Sequence, residues 1–347
     1  MAERTTAGRL GAQQPGIKEA AAASRRNMRR RAWRMLRRGR LGLVGLVLLI
    51  IIALSAIFAP FIAPHDPLVG KLEDSRKCPA FTTCPNLGGA VGGSGQAQPS
   101  TIGGFTLPGA ATSTGAPPKG SLEYPLGTDA NGRDVFSRMV YAARVSLIVG
   151  ITAVLIGGLV GVVAGLLCGF YGGVVDAVIM RIADIQLAFP FILLAIAIVA
   201  VLGGGLFNVI LVLGIGSWVP YARLVRGQVL SAKQQEYVIA ARTIGARDPA
   251  ILFRHLLPNV ITPAIIIATF GIAAAIIGEA TLSFLGVGIR PPTPTWGNML
   301  ADGRAYVASA WWLATFPGIA ILITVLSINM IGDWVRDVLD PRLRNTD

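Results

Sequence analysis

Long charge-free apolar stretches alternate with charged or glycine-rich segments along this chain of 347 residues. Five such stretches occur, at 41–65, 145–175, 185–222, 260–278 and 311–331. An α-helix needs about 20 mostly apolar residues to cross a bilayer, and one Arg, Lys or Asp at its centre costs about 2.5–3.5 kcal/mol. Each stretch therefore predicts at least one membrane-spanning helix, and the first predicts a retained membrane anchor.

The third stretch is too long for one span. Its 38 residues would form a helix of about 57 Å, whereas the hydrocarbon core of a bilayer is about 30 Å thick. The glycines at 203–205 and Asn208 supply a turn, which predicts helices near 185–202 and 207–222. The pattern thus predicts an all-α polytopic membrane protein with six transmembrane helices.

Lys and Arg are distributed unequally between the two sides of these spans. With a cytoplasmic N-terminus, the inner segments contain 22 of them and the outer segments contain 9. Cytoplasmic flanks are enriched in these residues, so we expect both termini in the cytoplasm and the protein in the inner (cytoplasmic) cell membrane. Nine arginines between residues 25 and 40 indicate a topology signal that also contacts anionic lipid, with nucleic-acid binding as the less favoured alternative.

Composition excludes a soluble enzyme. Hydrophobic residues make up 53% of the chain and charged residues 14%, against about 25% charged in soluble domains. No G-x4-G-K-[ST] phosphate loop and no H-E-x-x-H motif occurs, and three Cys and two His offer little for a metal site. We expect no catalytic residue, no metal and no cofactor bound by this chain. The span centres contain no ionisable residue, which disfavours a self-sufficient proton-coupled carrier.

The spans divide the chain into a basic cytoplasmic tail (1–40), a first transmembrane helix (41–62), an external loop (63–144), a core domain with five transmembrane helices (145–335) and a cytoplasmic tail (336–347). The external loop includes a low-complexity insert at 71–121 and a predicted interfacial amphipathic helix at about 133–144. Cys78 and Cys84 lie in the insert, on the side where a disulfide is chemically permitted. Their spacing alone leaves a disulfide and two free thiols equally open.

The cytoplasmic loop at 231–258 contains two predicted short helices. Ser231 and Gln234 form a candidate capping box, and Gly245 fits the position just after a helix end. A second helix is predicted to begin with Asp248 as its N-cap and to end before Pro258.

One face of the first loop helix needs a contact partner. That face combines two alanines with two larger apolar side chains, namely Tyr237, Ala240, Ala241 and Ile244. A partner protein, the lipid surface or the protein's own spans could each cover it, and the spacing leaves these alternatives open.

The same loop resembles the EAA loop of binding-protein-dependent ABC importer permeases, whose pattern is E-A-A, three residues, Gly, nine residues and I-x-L-P. Five positions match at the same spacing, namely Ala240, Ala241, Gly245, Leu257 and Pro258. The sequence departs from the pattern at Ile239, where the family has Glu, and at His255, where it has Ile. Glu236 is the candidate for the acidic role.

Three further stretches, at 124–147, 278–304 and 332–344, resemble the C-type membrane subunit of dipeptide and oligopeptide ABC importers. With the loop, the resemblance covers about 35–70 and 122–347. It implies the type I ABC importer permease fold and a subunit that forms half of the translocation pathway for short peptides. Nickel, glutathione or another small solute is the alternative cargo, because the permease motifs are shared.

The resemblance also implies the partners: a second permease subunit (B-type), two P-loop ATPase subunits that hold ATP and Mg, an external substrate-binding protein, a peptide substrate and the lipid bilayer, with no nucleic acid. The EAA helix would lie in a cleft on the ATPase and move with it. The residues to which it assigns this coupling are Glu236, Tyr237, Ala240, Ala241, Arg242, Gly245, Leu257 and Pro258.

Glu279 directly follows the apolar stretch at 260–278. An acid at that depth is a hypothesis for a pathway or gating residue. The alternative is that Glu279 already lies in the membrane interface, where a charge costs little.

Overall fold

The computed structural model describes residues 40–82, 100–102, 105–107 and 120–339, and the structural statements below concern these residues. They are largely helical. The helices, in chain order, are α1 (Arg40–Ile57), α2 (Ala59–Ile62), α3 (Val135–Tyr171), α4 (Gly173–Leu187), α5 (Phe191–Leu202), α6 (Leu206–Gly216), α7 (Trp218–Ala232), α8 (Glu236–Thr243), α9 (Asp248–Ala250), α10 (Leu257–Phe284), α11 (Trp296–Gly303) and α12 (Trp312–Leu339). A π-helical segment, Ile251–Leu256, joins α9 to α10, and short 3-10 turns occur at Leu72–Asp74 and Arg304–Tyr306.

Four helical stretches of the described chain are long and apolar enough to cross a membrane: Val135–Tyr171, Leu206–Ala232, Asp248–Phe284 and Trp312–Leu339. Helices α4 and α5 meet the same criterion as a pair that is bent by 90°, and Leu41–Ile57 is a shorter apolar helix. The predicted all-α membrane architecture is therefore confirmed. The count of six spans and the cytoplasmic location of both termini stay predictions.

The third predicted span is not one straight helix. Residues 176–184, which the charge pattern predicts to be a short inner loop, lie within α4, and the chain turns sharply before α5. Pro190 precedes the first residue of α5 and has an extended backbone, with ψ 124°. Proline has no N–H to donate and disfavours a helical conformation in the residue before it, so α4 ends here and α5 starts anew.

The interfacial helix predicted at about 133–144 is wrong as a separate element, because these residues form the start of α3. Asp134 caps α3 by accepting hydrogen bonds from the backbone N–H groups of Phe136 and Ser137. No proline or glycine interrupts residues 135–149, so nothing breaks the helix before the membrane span. Val135 and Ala143 are buried in a cluster that includes Trp296 and Trp312, so this segment packs on the protein itself.

The external segment has more regular structure than its composition predicts. Strands β1 (Ser100–Ile102) and β2 (Phe105–Leu107) pair antiparallel, with Ile102 opposite Phe105. Cys78 is buried and disulfide-bonded. Cys84 lies outside the described residues, so the Cys78–Cys84 pairing stays a prediction.

Helices α3 and α7 approach each other closely because a glycine occurs at every fourth position of α3 from 157 to 169. A Cβ added to Gly161 would lie 2.3 Å from the carbonyl oxygen of Trp218, and one added to Gly165 would lie 2.6 Å from that of Ala222. Small residues allow this kind of backbone approach between membrane helices. The glycine ladder (157, 161, 165 and 169) therefore fixes the position of α7, which leads directly into the loop at 231–258.

Two ion pairs connect α4 with α7 on the side predicted to be cytoplasmic. Arg226 donates two hydrogen bonds to the carboxylate of Asp176, at 2.5 and 2.6 Å. Arg223 donates one to Asp184 at 2.6 Å. A bidentate Arg–carboxylate pair fixes orientation as well as distance, so α4 is held against the start of the loop.

Candidate functional site on the loop between α7 and α10

The loop begins later than the predicted capping box implies. Helix α7 continues through Ala232, so Ser231 lies inside it, and α8 begins only at Glu236 with Gln235 as an N-cap that makes no side-chain hydrogen bond. The capping box is therefore wrong. Instead, the ammonium of Lys233 donates a 2.9 Å hydrogen bond to the carbonyl oxygen of Gly169, which ties the exit of α7 to the end of α3.

Glu236 lies in the first turn of α8 and is exposed. A carboxylate there interacts favourably with the unpaired N–H groups and the positive end of the helix dipole, typically by about 0.3–1 kcal/mol. This position gives Glu236 a local structural role and leaves its outer oxygens accessible to a partner.

Gly245 ends α8 as the sequence predicts. Its backbone has φ +81°, which side-chain-bearing residues rarely adopt. The N–H of Gly245 donates to the carbonyl oxygen of Arg242, and the N–H of Ala246 donates to that of Ala241. This pair of hydrogen bonds is the Schellman arrangement, which turns the chain sharply after α8.

The predicted contact face of α8 is divided between the protein's own core and solvent. Val238 and Ala241 are buried, with Ala241 only 5% exposed, in a cluster that includes Phe170 and Ile251. Of the alternatives left open, the protein's own helices cover Ala241, since Ala241 is three positions after Val238 and shares its inward side. On the outward side, the apolar or small residues are Tyr237, Ile239, Ala240 and Ile244, with Ile244 84% exposed.

Two side-chain contacts fix the orientation of α8 against the membrane helices. The guanidinium carbon of Arg242 lies 5.2 Å from the ring centre of Phe170, a cation–π contact with the end of α3. The side-chain amide of Asn259 in α10 donates a 3.3 Å hydrogen bond to the hydroxyl oxygen of Tyr237. Helix α8 is therefore held by α3 on one side and by α10 on the other.

The second half of the loop continues into α10 without a stop at Pro258. Asp248 and Pro249 are the first two residues of α9 with Arg247 as the N-cap, one position earlier than predicted. The π-helical turn follows, and Pro258 is in the first turn of α10. A proline cannot donate a backbone hydrogen bond, and the wider π turn before it accommodates that loss, so the predicted helix end is wrong.

This arrangement also places the remaining matched positions of the loop. Leu257 is partly buried and packs against the cluster that holds Val238, whereas Pro258 is exposed. Arg254 is exposed next to the half-buried His255, so its charge is available to a partner or to lipid headgroups.

Glu279 does not face an open space in this chain. Its side chain is fully buried, one carboxyl oxygen accepts a 2.8 Å hydrogen bond from the hydroxyl of Ser283, and the hydroxyls of Ser146 and Thr295 also lie next to the carboxyl group. The backbone N–H of Ile289 also donates to the Ser283 hydroxyl oxygen, at 3.2 Å. Glu279 thus anchors the segment after α10; its proposed gating role stays a prediction.

One charged cluster escaped the sequence analysis. Asp129, Arg133, Arg138 and Asp302 lie together at the opposite end of α3 from the loop. Three of them lie in the run T-D-A-N-G-R-D-V-F-S-R at 128–138. The spacing of the charges in this run was the sequence feature that could have indicated the cluster. The sequence could not assign Asp302 to this cluster, because 164 positions separate Asp302 from Arg138 in the chain.

Within the described part of the chain, no group of three or more His, Cys, Asp or Glu side chains is placed to hold a metal ion. The loop instead offers an exposed apolar face bordered by the exposed charges of Glu236 and Arg247. Such a surface suits the docking of another protein better than it suits chemistry on a small molecule.

Two family models match the chain. One describes the binding-protein-dependent transport system inner membrane component and covers residues 161–345, more than half of the chain and the whole of the loop. The other describes the N-terminal TM domain of oligopeptide transport permease C and covers residues 27–77.

Curated relatives include the "Glutathione transport system permease protein GsiD" of Escherichia coli O6:K15:H31 (strain 536 / UPEC) and the proteins of the same name from Shigella boydii serotype 4 and Shigella sonnei. Each is 50% identical over 224 residues, which are 65% of this chain and 74% of the relative. Among solved structures, a chain from inward-facing conformations of the MetNI methionine ABC transporter is similar, with a TM-score of 0.47 and 21% identity, over 58% of this chain and 96% of that one.

Proposed function

Because the chain belongs to the family of binding-protein-dependent transport system inner membrane components, we propose that it forms half of the translocation pathway for short peptides or peptide-like solutes. It is a membrane permease subunit of an ABC importer, with ATP hydrolysed by partner subunits. Its expected assembly is a second permease, two ATPases and an external binding protein that delivers the cargo.

The observation that best supports this function is the division of α8 into an anchored side and a free side. Val238 and Ala241 hold the helix in the protein's own core, whereas Ile244 and Ile239 present apolar surface on a loop outside the membrane helices. We propose that this free side docks on the ATPase. Burying apolar area there would supply about 25 cal/mol per Å² of association free energy before the cost of immobilisation.

Movement of the ATPase would then reach the membrane helices through the anchored side. Helix α8 contacts α3 through Arg242 and Phe170, and contacts α10 through Tyr237 and Asn259. Since the buried cluster under α8 includes side chains of α3, α7 and α10, a displacement of α8 is transmitted to all three helices.

The cargo remains the finer part of the proposal. The match to the oligopeptide permease C domain over 27–77 supports peptides. The 50% identity to proteins named as glutathione transport permeases supports glutathione, itself a small peptide, as the second candidate. Transport assays of the complete importer with labelled dipeptide, oligopeptide and glutathione would separate these candidates.

The docking proposal is tested by Ala240→Trp in the full importer. Ala240 is exposed on the free side of α8, so a bulky indole there should block close approach of the ATPase while the fold of this chain is preserved. We expect co-purification of the ATPase to fall at least tenfold. Ala177→Trp, at an exposed position of α4, is the matched control and should retain the ATPase. Full retention by Ala240→Trp would contradict docking on this face.

A further inference from the structure

A cavity of about 380 Å³ lies at the end of α3 that is predicted to face outward. Its walls come from the start of α3, from α11 and the 3-10 turn after it, and from the first residues of α12. Ligand pockets are typically about 300–1,000 Å³, so the space is large enough for a small organic molecule.

Asp129 organises the charged wall of this cavity. One carboxyl oxygen accepts hydrogen bonds from the backbone N–H groups of Asn131 (2.8 Å) and Arg133 (3.0 Å). The other accepts one from the Arg133 side chain (2.7 Å) and one from Nη1 of Arg138. Asp129 therefore has a full set of donors, and two guanidinium groups share its single negative charge, which leaves one positive charge in excess.

The excess positive charge is only loosely compensated. The nearest further carboxylate, that of Asp302, lies 3.8 Å from Nη2 of Arg133 and 3.7 Å from Nη2 of Arg138, beyond hydrogen-bond distance. Arg138 is 4% exposed, yet its Nε has no hydrogen-bond partner among the described residues. The Asp302 side chain is 55% exposed, so it can move away into solvent.

The remaining walls are suited to an amphipathic ligand. Arg304 adds a third guanidinium at the rim, and Val135, Met299 and Leu313 supply apolar surface. Carboxylates bind best where a guanidinium offers its N–H groups directly, and the Nη2 atoms of Arg133 and Arg138, 3.8 and 3.7 Å from Asp302, are the groups left for such a ligand.

We propose that this cavity is a carboxylate-binding site for small peptide-like solutes, in which Asp302 occupies the ligand's position and is displaced by it. The proposal rests on the function proposed above, because it gives the cargo's carboxylate a place at the outer end of the permease. A free carboxylate would make the hydrogen bonds to the two arginines that Asp302 does not make.

The test measures binding to the complete importer in lipid nanodiscs without ATP, so it does not depend on transport. The probes are N-acetyl-Ala-Ala, which has one free carboxylate and no ammonium group, and its C-terminal amide. We expect saturable binding of the acid and at least tenfold weaker binding of the amide, because the neutral amide cannot form charge-assisted hydrogen bonds with the two guanidinium groups.

The decisive variant is Asp302→Ala. It is expected to strengthen binding of the acid, whereas a variant that merely disturbs the fold would weaken it. Removing the competing carboxylate should tighten binding of the acid about fivefold, in the range of a partly exposed ion pair. Arg138→Gln should weaken binding at least tenfold, and Glu123→Gln, at an exposed site elsewhere on the outer side, should leave it unchanged.

Three outcomes would overturn the proposal. One is a folded Asp302→Ala importer that binds the acid no more tightly than the unchanged chain, and another is equal binding of acid and amide. The third is an absence of small-molecule binding combined with altered affinity for the external binding protein, which would assign the arginines to an acidic segment of that partner. If ATP-driven transport fails while the acid binds as expected, the error lies in the proposed transport function.

Discussion

Neighbouring residues on α8 have opposite surroundings, and this determines which of them a partner can reach. Ala241 packs in the core beside Val238, whereas Ala240 and Ile244 are exposed. A small residue at 241 is therefore required by the chain's own packing, and a small residue at 240 is available for close approach by another protein. The two alanines of the resemblance thus have different physical reasons to be small.

Asp74 and Tyr124 form a pH-sensitive contact in the external segment. Hydrogen bonds from Lys77 and from the Tyr124 hydroxyl lower the pKa of Asp74 below its usual 3.8. Burial and the neighbouring Asp74 carboxylate raise the pKa of Tyr124 to about 12. The lowered pKa of Asp74 means that its contribution to stability is present above pH 3.8 and is lost as the pH falls through the folded-state value.

We expect Tyr124→Phe to change the stability of this segment at both ends of the pH scale. Loss of the hydroxyl removes one bond to Asp74, so the variant should be less stable at neutral pH and should lose less stability as the pH falls below 3.8. The unchanged chain should lose further stability between pH 10 and about 12, where Tyr124 ionises on unfolding, and the variant should lack that component. Thermal unfolding followed from pH 3 to 12 measures both. Identical pH profiles would contradict the contact.

The sequence predicted the structural role of some single residues and missed that of others, for physical reasons. Gly245 was predictable because the end of a helix requires a positive φ that glycine adopts easily. The burial of Ala241 was not, because a short amphipathic helix does not reveal which flank faces its own protein. The pairing of Arg138 with Asp302 depends on tertiary contacts between α3 and α11, which no local pattern encodes.

At the scale of the element, α3 is the helix on which the others depend. It runs from the charged cluster at Arg138 to Phe170 under the loop between α7 and α10, and its glycine ladder packs against α7 along the way. The apolar stretch at 145–175 predicted its membrane part well. Its true start at Val135 was missed, because amphipathic spacing does not distinguish a separate interfacial helix from the first turns of a longer one.

Gly165→Ala tests the glycine ladder. The added methyl group would lie 2.6 Å from the carbonyl oxygen of Ala222, so α3 and α7 must separate, at an expected cost of about 1–3 kcal/mol. Gly158→Ala is the matched control, since its nearest contact would be an ordinary 3.8 Å and alanine favours helix formation. Thermal unfolding in detergent measures both variants. Equal melting temperatures would contradict close packing at position 165.

At the scale of the whole molecule, the described chain consists of packed apolar helices with an exposed apolar face on the loop between α7 and α10. The mean hydropathy and the charge-free stretches predicted the membrane architecture, because burial in lipid imposes its composition on every span. The glycines at 203–205 predicted the turn that separates α5 from α6. The bend between α4 and α5 was not predicted, because its 90° direction depends on packing with neighbouring helices.

The purified chain should hydrolyse no ATP on its own. Its sequence contains no phosphate loop, and hydrolysis in this family is performed by partner subunits. Phosphate release by the chain in nanodiscs, measured with and without added ATPase subunits, checks this. The ATPase subunits alone are the control for background turnover. Sustained hydrolysis by contaminant-free chain would reveal a nucleotide site of its own.

The glycine ladder has a mechanical consequence. Helices whose backbones are in direct contact cannot shift past each other through side-chain rotamer changes alone. We therefore expect α3 and α7 to move together as one rigid unit. A displacement of the loop between α7 and α10 would then tilt α3 and α7 together. Arg138 lies near the other end of α3, so a displacement of the loop between α7 and α10 would also move the charged cluster around Asp129.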